Sequence, residues 1–167
     1  MERLAGWLVV SMVLCGCAGN NPQTREDFVK TRQAGVPFNM MDSHVANRRF
    51  EDVVKSLQQK AGECLNVDSI MTRTQGGVTT MNAKDEYRTS IRVLDRDRAE
   101  LTTQFQMKGQ IVTQKVPEGG FYNRAVDIER ASPRTTKITY YGSSLDSGKK
   151  VWAAIKDWSE GKKSPCP

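Results

Sequence analysis

The residues of this 167-residue chain with most capacity for chemistry are four cysteines, one histidine and nineteen carboxylates, and their spacing excludes most of it. Cys15, Cys17, Cys64 and Cys166 fit no zinc framework, and no Cys-x-x-Cys is present to act as a redox pair. His44 is the only imidazole, so any Ser-His-Asp or Cys-His arrangement would have to use it. It stands at a strand–helix junction, where a surface or capping role is expected instead. Glu51 and Asp52 are adjacent and project about 100° apart on a helix, which prevents them from working as a paired acid and base. Asp95-Arg96-Asp97 lacks the Gly and closing Glu of a calcium loop. Gln75-Gly76-Gly77 and Glu118-Gly119-Gly120 lack the spacing and following Lys of a phosphate loop. The chain is therefore expected to be no enzyme, with no catalytic residue, no metal and no cofactor.

The other chemically informative stretch is N-terminal. Leu4 to Gly16 is the only long apolar run, and Arg3 precedes it. At 1.5 Å per residue it covers about 20 Å of a hydrocarbon core roughly 30 Å thick, so it reads as a signal peptide and not as a span. Its end, Leu14-Cys15-Gly16-Cys17, resembles the lipobox of bacterial lipoproteins, although Cys15 stands where Ala, Ser or Thr is usual. The resemblance implies cleavage between Gly16 and Cys17 and lipidation of Cys17 by thioether and amide acyl chains, two or three chains anchoring stably where one is marginal. Ala18 follows in place of Asp, which by the same resemblance implies sorting to the outer membrane, facing the periplasm. A membrane partner through the acyl anchor follows, and nucleic acid is excluded by compartment.

Within that resemblance, Cys15 leaves with the signal peptide and Cys17 is consumed by lipid. Cys64 and Cys166 remain in an oxidising compartment and are expected to form a disulfide. The expected organisation is a signal peptide at 1–16, the lipidated Cys and a flexible tether at 17–35, and one domain at 36–167. Composition agrees with a single globular domain: 38% apolar residues and a mean hydropathy of −0.56 exclude both a disordered chain and an integral membrane protein.

The elements that must position these residues follow from periodicity. A strand is expected from about Val36 to Val45. Phe50, Val53, Val54, Leu57 and Ala61 make one apolar helical face over 47–61, with Asn47 or Ser43 as N-cap and Gly62 past its end. Strand patterns then dominate for about eighty residues, with turns at 75–77, 95–98, 117–120 and 132–134 and a bulge at Gly109. Tyr122, Val126 and Ile128 share a phase on one of these strands. A last helix over 147–160 carries Val151, Trp152, Ile155 and Trp158, with Gly161 at C′. The fold class is α+β: an antiparallel meander sheet of about five to six strands with two amphipathic helices packed on one face. This order is similar to helix-grip domains, the START-like group among them. The disulfide suggests that both helix C-termini lie at the same end of the domain.

Two surfaces are candidates for binding. Arg88 and Arg92 share a strand face, and Arg124 and Arg130 share another, in a chain of net charge +6. They suit an anionic partner such as lipid head groups, or a solvated face with Glu100 and Glu129 as cross-strand partners. Phe105, Met107, Tyr140 and Trp152, with Met40, Met41, Met71 and Trp158, suit either an apolar pocket or a plain core. Two functions follow: a lipid-anchored accessory protein of the cell envelope that binds a protein or cell-wall component, or a binder of a small apolar or lipid ligand between the sheet and the C-terminal helix.

Overall fold

The computed structural model describes residues 21–75, 78–108 and 115–167, and side chains at 70–75 and 78–83 are not considered. The expected signal peptide at 1–16, Cys15, Cys17, the turn expected at Gly76-Gly77, the bulge expected at Gly109 and the Met71 side chain fall outside the described residues. The elements in chain order are α1 (Arg25–Gln33), β1 (Asn39–Ala46), α2 (Phe50–Cys64), β2 (Asp68–Gln75), β3 (Val78–Val93), β4 (Arg98–Lys108), β5 (Phe121–Ser132), β6 (Thr135–Ser143) and α3 (Asp146–Ser159). The protein is α+β. Its strands form one antiparallel sheet in the order β1-β6-β5-β4-β3-β2, with β1 returning from the start of the domain to pair with β6. The arrangement is consistent with the helix-grip topology.

α2 and α3 cover one face. The stripe of α2 runs Phe50, Val53, Val54, Leu57, Ala61 and Cys64, all buried. It meets Val151, Trp152, Ile155 and Trp158 of α3 and Leu101, Val126, Ile128, Ile138 and Tyr140 of the sheet in one core. Each such side chain, fully buried, is worth about 1.5–3 kcal/mol. The stripe carries α2 through Gly62 to Cys64, with Leu65 as C-cap, one turn beyond the expected end. Its N-cap is Arg49, with no side-chain cap bond from Asn47 or Ser43. Gly161 takes a left-handed φ of 74° after α3, as expected of a C′ glycine.

The two helices run antiparallel, so their C-termini lie at opposite ends of the domain and the expectation of a shared end is wrong. Arg48, before α2, donates to the carbonyls of Trp158 and Ser159 at the end of α3 (3.5 and 3.2 Å), and Ser56 Oγ donates to Trp158 O at 2.7 Å. The C-terminal tail doubles back along α3, with Ser164 to Pro167 facing Lys150, Ala153 and Ala154 across a groove. That return brings Cys166 to Cys64, and the two form a disulfide with Cα atoms 5.1 Å apart.

The other face carries α1. Phe28 is 1% exposed and packs on Ala125 and Tyr141, whose neighbours Val126 and Tyr140 belong to the α2–α3 core. Alternation along a strand places α1 opposite that core. Thr24 caps its N-terminus through Asp27 N–H at 3.1 Å, and Arg25 reaches Asp127 at 2.5 Å and Glu100 at 3.3 Å. Residues 25–33 are therefore part of the folded unit, whereas the tether was expected to extend to residue 35. One buried Phe and one doubly paired Arg outweigh a polar composition.

The β3–β4 hairpin pairs Ile91 with Leu101 and Arg92 with Glu100 around the polar turn at 95–98. β5 is less regular. Thr103 pairs Arg124 and Gln104 pairs Tyr122, which leaves Asn123 as an extra residue. The bulge turns Tyr122 out of phase with Val126 and Ile128, and its ring lies 6.0 Å from Phe28 on the α1 face.

Candidate functional site

Arg124 is in phase with Val126 and Ile128, both fully buried, so its register is that of a core position. Arg130 keeps the same phase and lies on the same sheet face, as expected, where it bonds Asp97 at 2.7 Å and Glu51 of α2 at 2.5 Å. Arg124 lies in the wall of a cavity of about 360 Å³ between the sheet and the first two turns of α3. Tyr87 of β3 and Arg124 of β5 give the sheet wall. Ser147, Lys150 and Val151 give the α3 wall, Cys64, Leu65 and Val67 the chain leaving α2, and Pro167 of the tail closes the rim. The disulfide is thus a structural part of the cavity, since it holds the tail where that rim needs it.

The electrostatics of the cavity are one-sided. Burial lowers the pKa of Arg124 from the ordinary arginine value, although a guanidinium stays charged at neutral pH. Tyr87 and Tyr140 lie close enough to act on it electrostatically, and burial raises both phenols, so they remain neutral. Arg124 Nε donates to Asn123 Oδ1 at 3.0 Å. Among the described residues, Arg124 and Lys150 make no ion pair and no Asp or Glu lines the cavity.

The pocket residues expected from the sequence are not brought together. Tyr140 and Trp152 stack at 5.4 Å inside the closed core, and Trp152 Nε1 donates to Asp42 Oδ2 at 2.6 Å. Trp158 belongs to the same core, and Met40 packs against it. Phe105 and Met107 instead line a separate cleft of about 270 Å³ with Phe121, Tyr122, Pro22 and Arg32. Met41 is exposed. Of the cavity's residues, only Arg124 was singled out for binding from sequence, as part of a surface with Arg130 and not as a cavity wall. Its phase with Val126 and Ile128 was the available signal.

Arg88 and Arg92 are exposed and engaged. Arg88 contacts Asp68 at 2.8 Å and Glu86 at 3.4 Å, and Arg92 contacts Glu100 at 2.9 Å, the solvated cross-strand arrangement. His44 Nε2 lies 2.8 Å from Glu160 Oε1, so the imidazole ties edge strand β1 to the C-cap of α3. Among the described residues, no three His, Cys, Asp or Glu side chains are placed to hold a metal ion. No helix among them is long and apolar enough to cross a membrane.

Fold and cavity together define an α+β domain with a cation-lined cavity under its C-terminal helix. No protein-family model and no curated protein matches the chain. Among solved structures, it is similar to a hypothetical protein from Helicobacter pylori at 14% identity, covering 76% of this chain and 90% of that one, with a TM-score of 0.38. It is similar to Ara h 8.0201 at 14% identity, covering 74% and 94%, with a TM-score of 0.37. Norcoclaurine synthase from Thalictrum flavum, in complex with dopamine and hydroxybenzaldehyde, matches at 11% identity over 82% and 94%, with a TM-score of 0.31. All three scores lie below 0.5, and nothing about ligand or activity passes from those proteins to this chain.

Proposed function

We propose that the protein is a lipid-anchored, non-catalytic protein of the bacterial cell envelope that holds a small apolar or lipid ligand between its sheet and α3. The observation that carries this reading is the cavity of about 360 Å³, walled by Leu65, Val67, Tyr87, Val151 and Pro167. Its size is that of small-molecule sites, and its walls are mostly apolar with a few polar groups, as such sites require. Denaturing extraction of the protein purified from its own cells, followed by mass spectrometry, tests it. A stoichiometric non-covalent small molecule supports the reading, and a clean protein that also takes up no offered amphiphile overturns it.

The anchor half of the proposal rests on Leu14-Cys15-Gly16-Cys17. Cys17→Ala is expected to abolish acyl labelling and release the protein from membranes. Labelling that persists in this variant refutes Cys17 as the lipidated residue.

A second reading, docking to an envelope protein, is favoured by a different observation. Val36, Phe38, Met41 and Leu145 are all half or more exposed, Phe38 at 67%. Phe38 O accepts from Ser144 N–H at 2.9 Å, so these residues gather where β1 meets the end of β6. In-cell crosslinking with a photoreactive residue at position 38 tests it. A single crosslinked envelope partner is expected, and its absence removes this reading without touching the cavity.

A further inference from the structure

Arg124 occupies a core-phase position at a desolvation cost, and no carboxylate among the described residues offsets that cost. The nearest buried acid on the same strand face as Tyr87 is Asp85, 6% exposed and with Oδ1 unpartnered. Asp85 is level with Met107, whereas Arg124 is level with Thr103 and Thr89. Four residues of strand, about 13 Å, separate the two levels, so Asp85 does not answer the guanidinium. Lys150 stands on the opposite wall and carries the same sign.

We propose that the cavity's ligand carries an anionic head, a carboxylate or a phosphate monoester, which the Arg124 guanidinium binds at the sheet wall while Lys150 meets it at the rim. The proposal rests on the reading of the cavity as a ligand site and adds the class of ligand. A guanidinium presents paired N–H donors in a planar fork that matches both anions, and in a partly desolvated wall such charge-assisted bonds are strong. The Tyr87 phenol, in the same wall and held neutral by burial, does not repel the head. The apolar walls, Leu65, Val67 and Val151, take the body of the molecule.

The test is calorimetric titration of the full-length protein in lipid nanodiscs, with empty discs as blank, using octanoate, octyl phosphate and octanol. These probes share one apolar body and differ in head group. At least about tenfold tighter binding of one or both anions than of octanol is expected, a difference of about 1.4 kcal/mol. The stronger of the two anions identifies the head. In Arg124→Met the preference is expected to fall below about twofold while octanol binding is kept, and Arg124→Lys is expected to restore part of it. Equal binding of octanol and both anions to the natural protein overturns the anionic class while leaving the cavity reading intact. Failure of all three to bind overturns both. The comparison within the natural protein needs no variant, so a misfolded variant does not rescue the proposal.

Discussion

Cys64 and Cys166 are bonded across a sequence separation of 102 residues, although the two helices that precede them end at opposite ends of the domain. The tail returns along α3 to make the bond, and in doing so sets Pro167 at the rim of the cavity. One covalent link therefore ties α2, the tail and the binding wall together.

Reducing this bond, or replacing both residues with Ser, is expected to cost about 4–5 kcal/mol of stability, the loop-closure value for a ring of this size. Denaturant unfolding of the oxidised and reduced protein measures it. Loss of the tail from α3 should also weaken ligand uptake, and a reduced protein with unchanged stability would show that the tail is held by other contacts.

Phe28 makes α1 an integral part of the domain. Phe28→Ala is expected to destabilise by about 3–4 kcal/mol, because it leaves a hole between Ala125, Tyr141 and Tyr122. The unfolding midpoint in denaturant reads this directly. A change under about 1 kcal/mol would mean that residues 25–33 contribute little to the fold.

Tyr141 couples stability to alkaline pH. Burial, with the Asp127 charge and hydrogen bond as further causes, raises its phenol from 10.0 to about 12. The raised value favours the neutral phenol in the folded state. Its contribution is complete below pH 10 and is lost as pH rises from about 10 to about 12, where the unfolded chain ionises first. Burial also raises the phenols of Tyr87, Tyr122 and Tyr140, so Tyr141→Phe should lessen the fall of the midpoint over that window without abolishing it, and the late phenolate absorbance should shrink by one tyrosine.

Arg124→Met is expected to raise the stability of the ligand-free protein, by about 1 kcal/mol, because a charge without a carboxylate partner is replaced by an apolar chain of similar length. A thermal melt of the two proteins checks the sign. A destabilised variant would mean that Arg124 is held by structural bonds and not kept for a ligand.

The sequence by itself determined the α+β class, the β3–β4 hairpin with Arg92 opposite Glu100, the α2 and α3 stripes and the Cys64–Cys166 pair. The first three are local periodicities, and the pair is what the resemblance to a lipobox leaves once Cys15 and Cys17 are removed, so no distant contact is needed to read them. Tertiary structure alone decided three things: the packing of α1 behind the sheet, the antiparallel course of the helices, and the separation of Phe105 and Met107 from Tyr140 and Trp152. The physical reason is common to all three. Which face of a strand or helix is covered depends on what packs against it from elsewhere in the chain, and the extra residue at Asn123 takes Tyr122 out of the alternation that Arg124, Val126 and Ile128 keep.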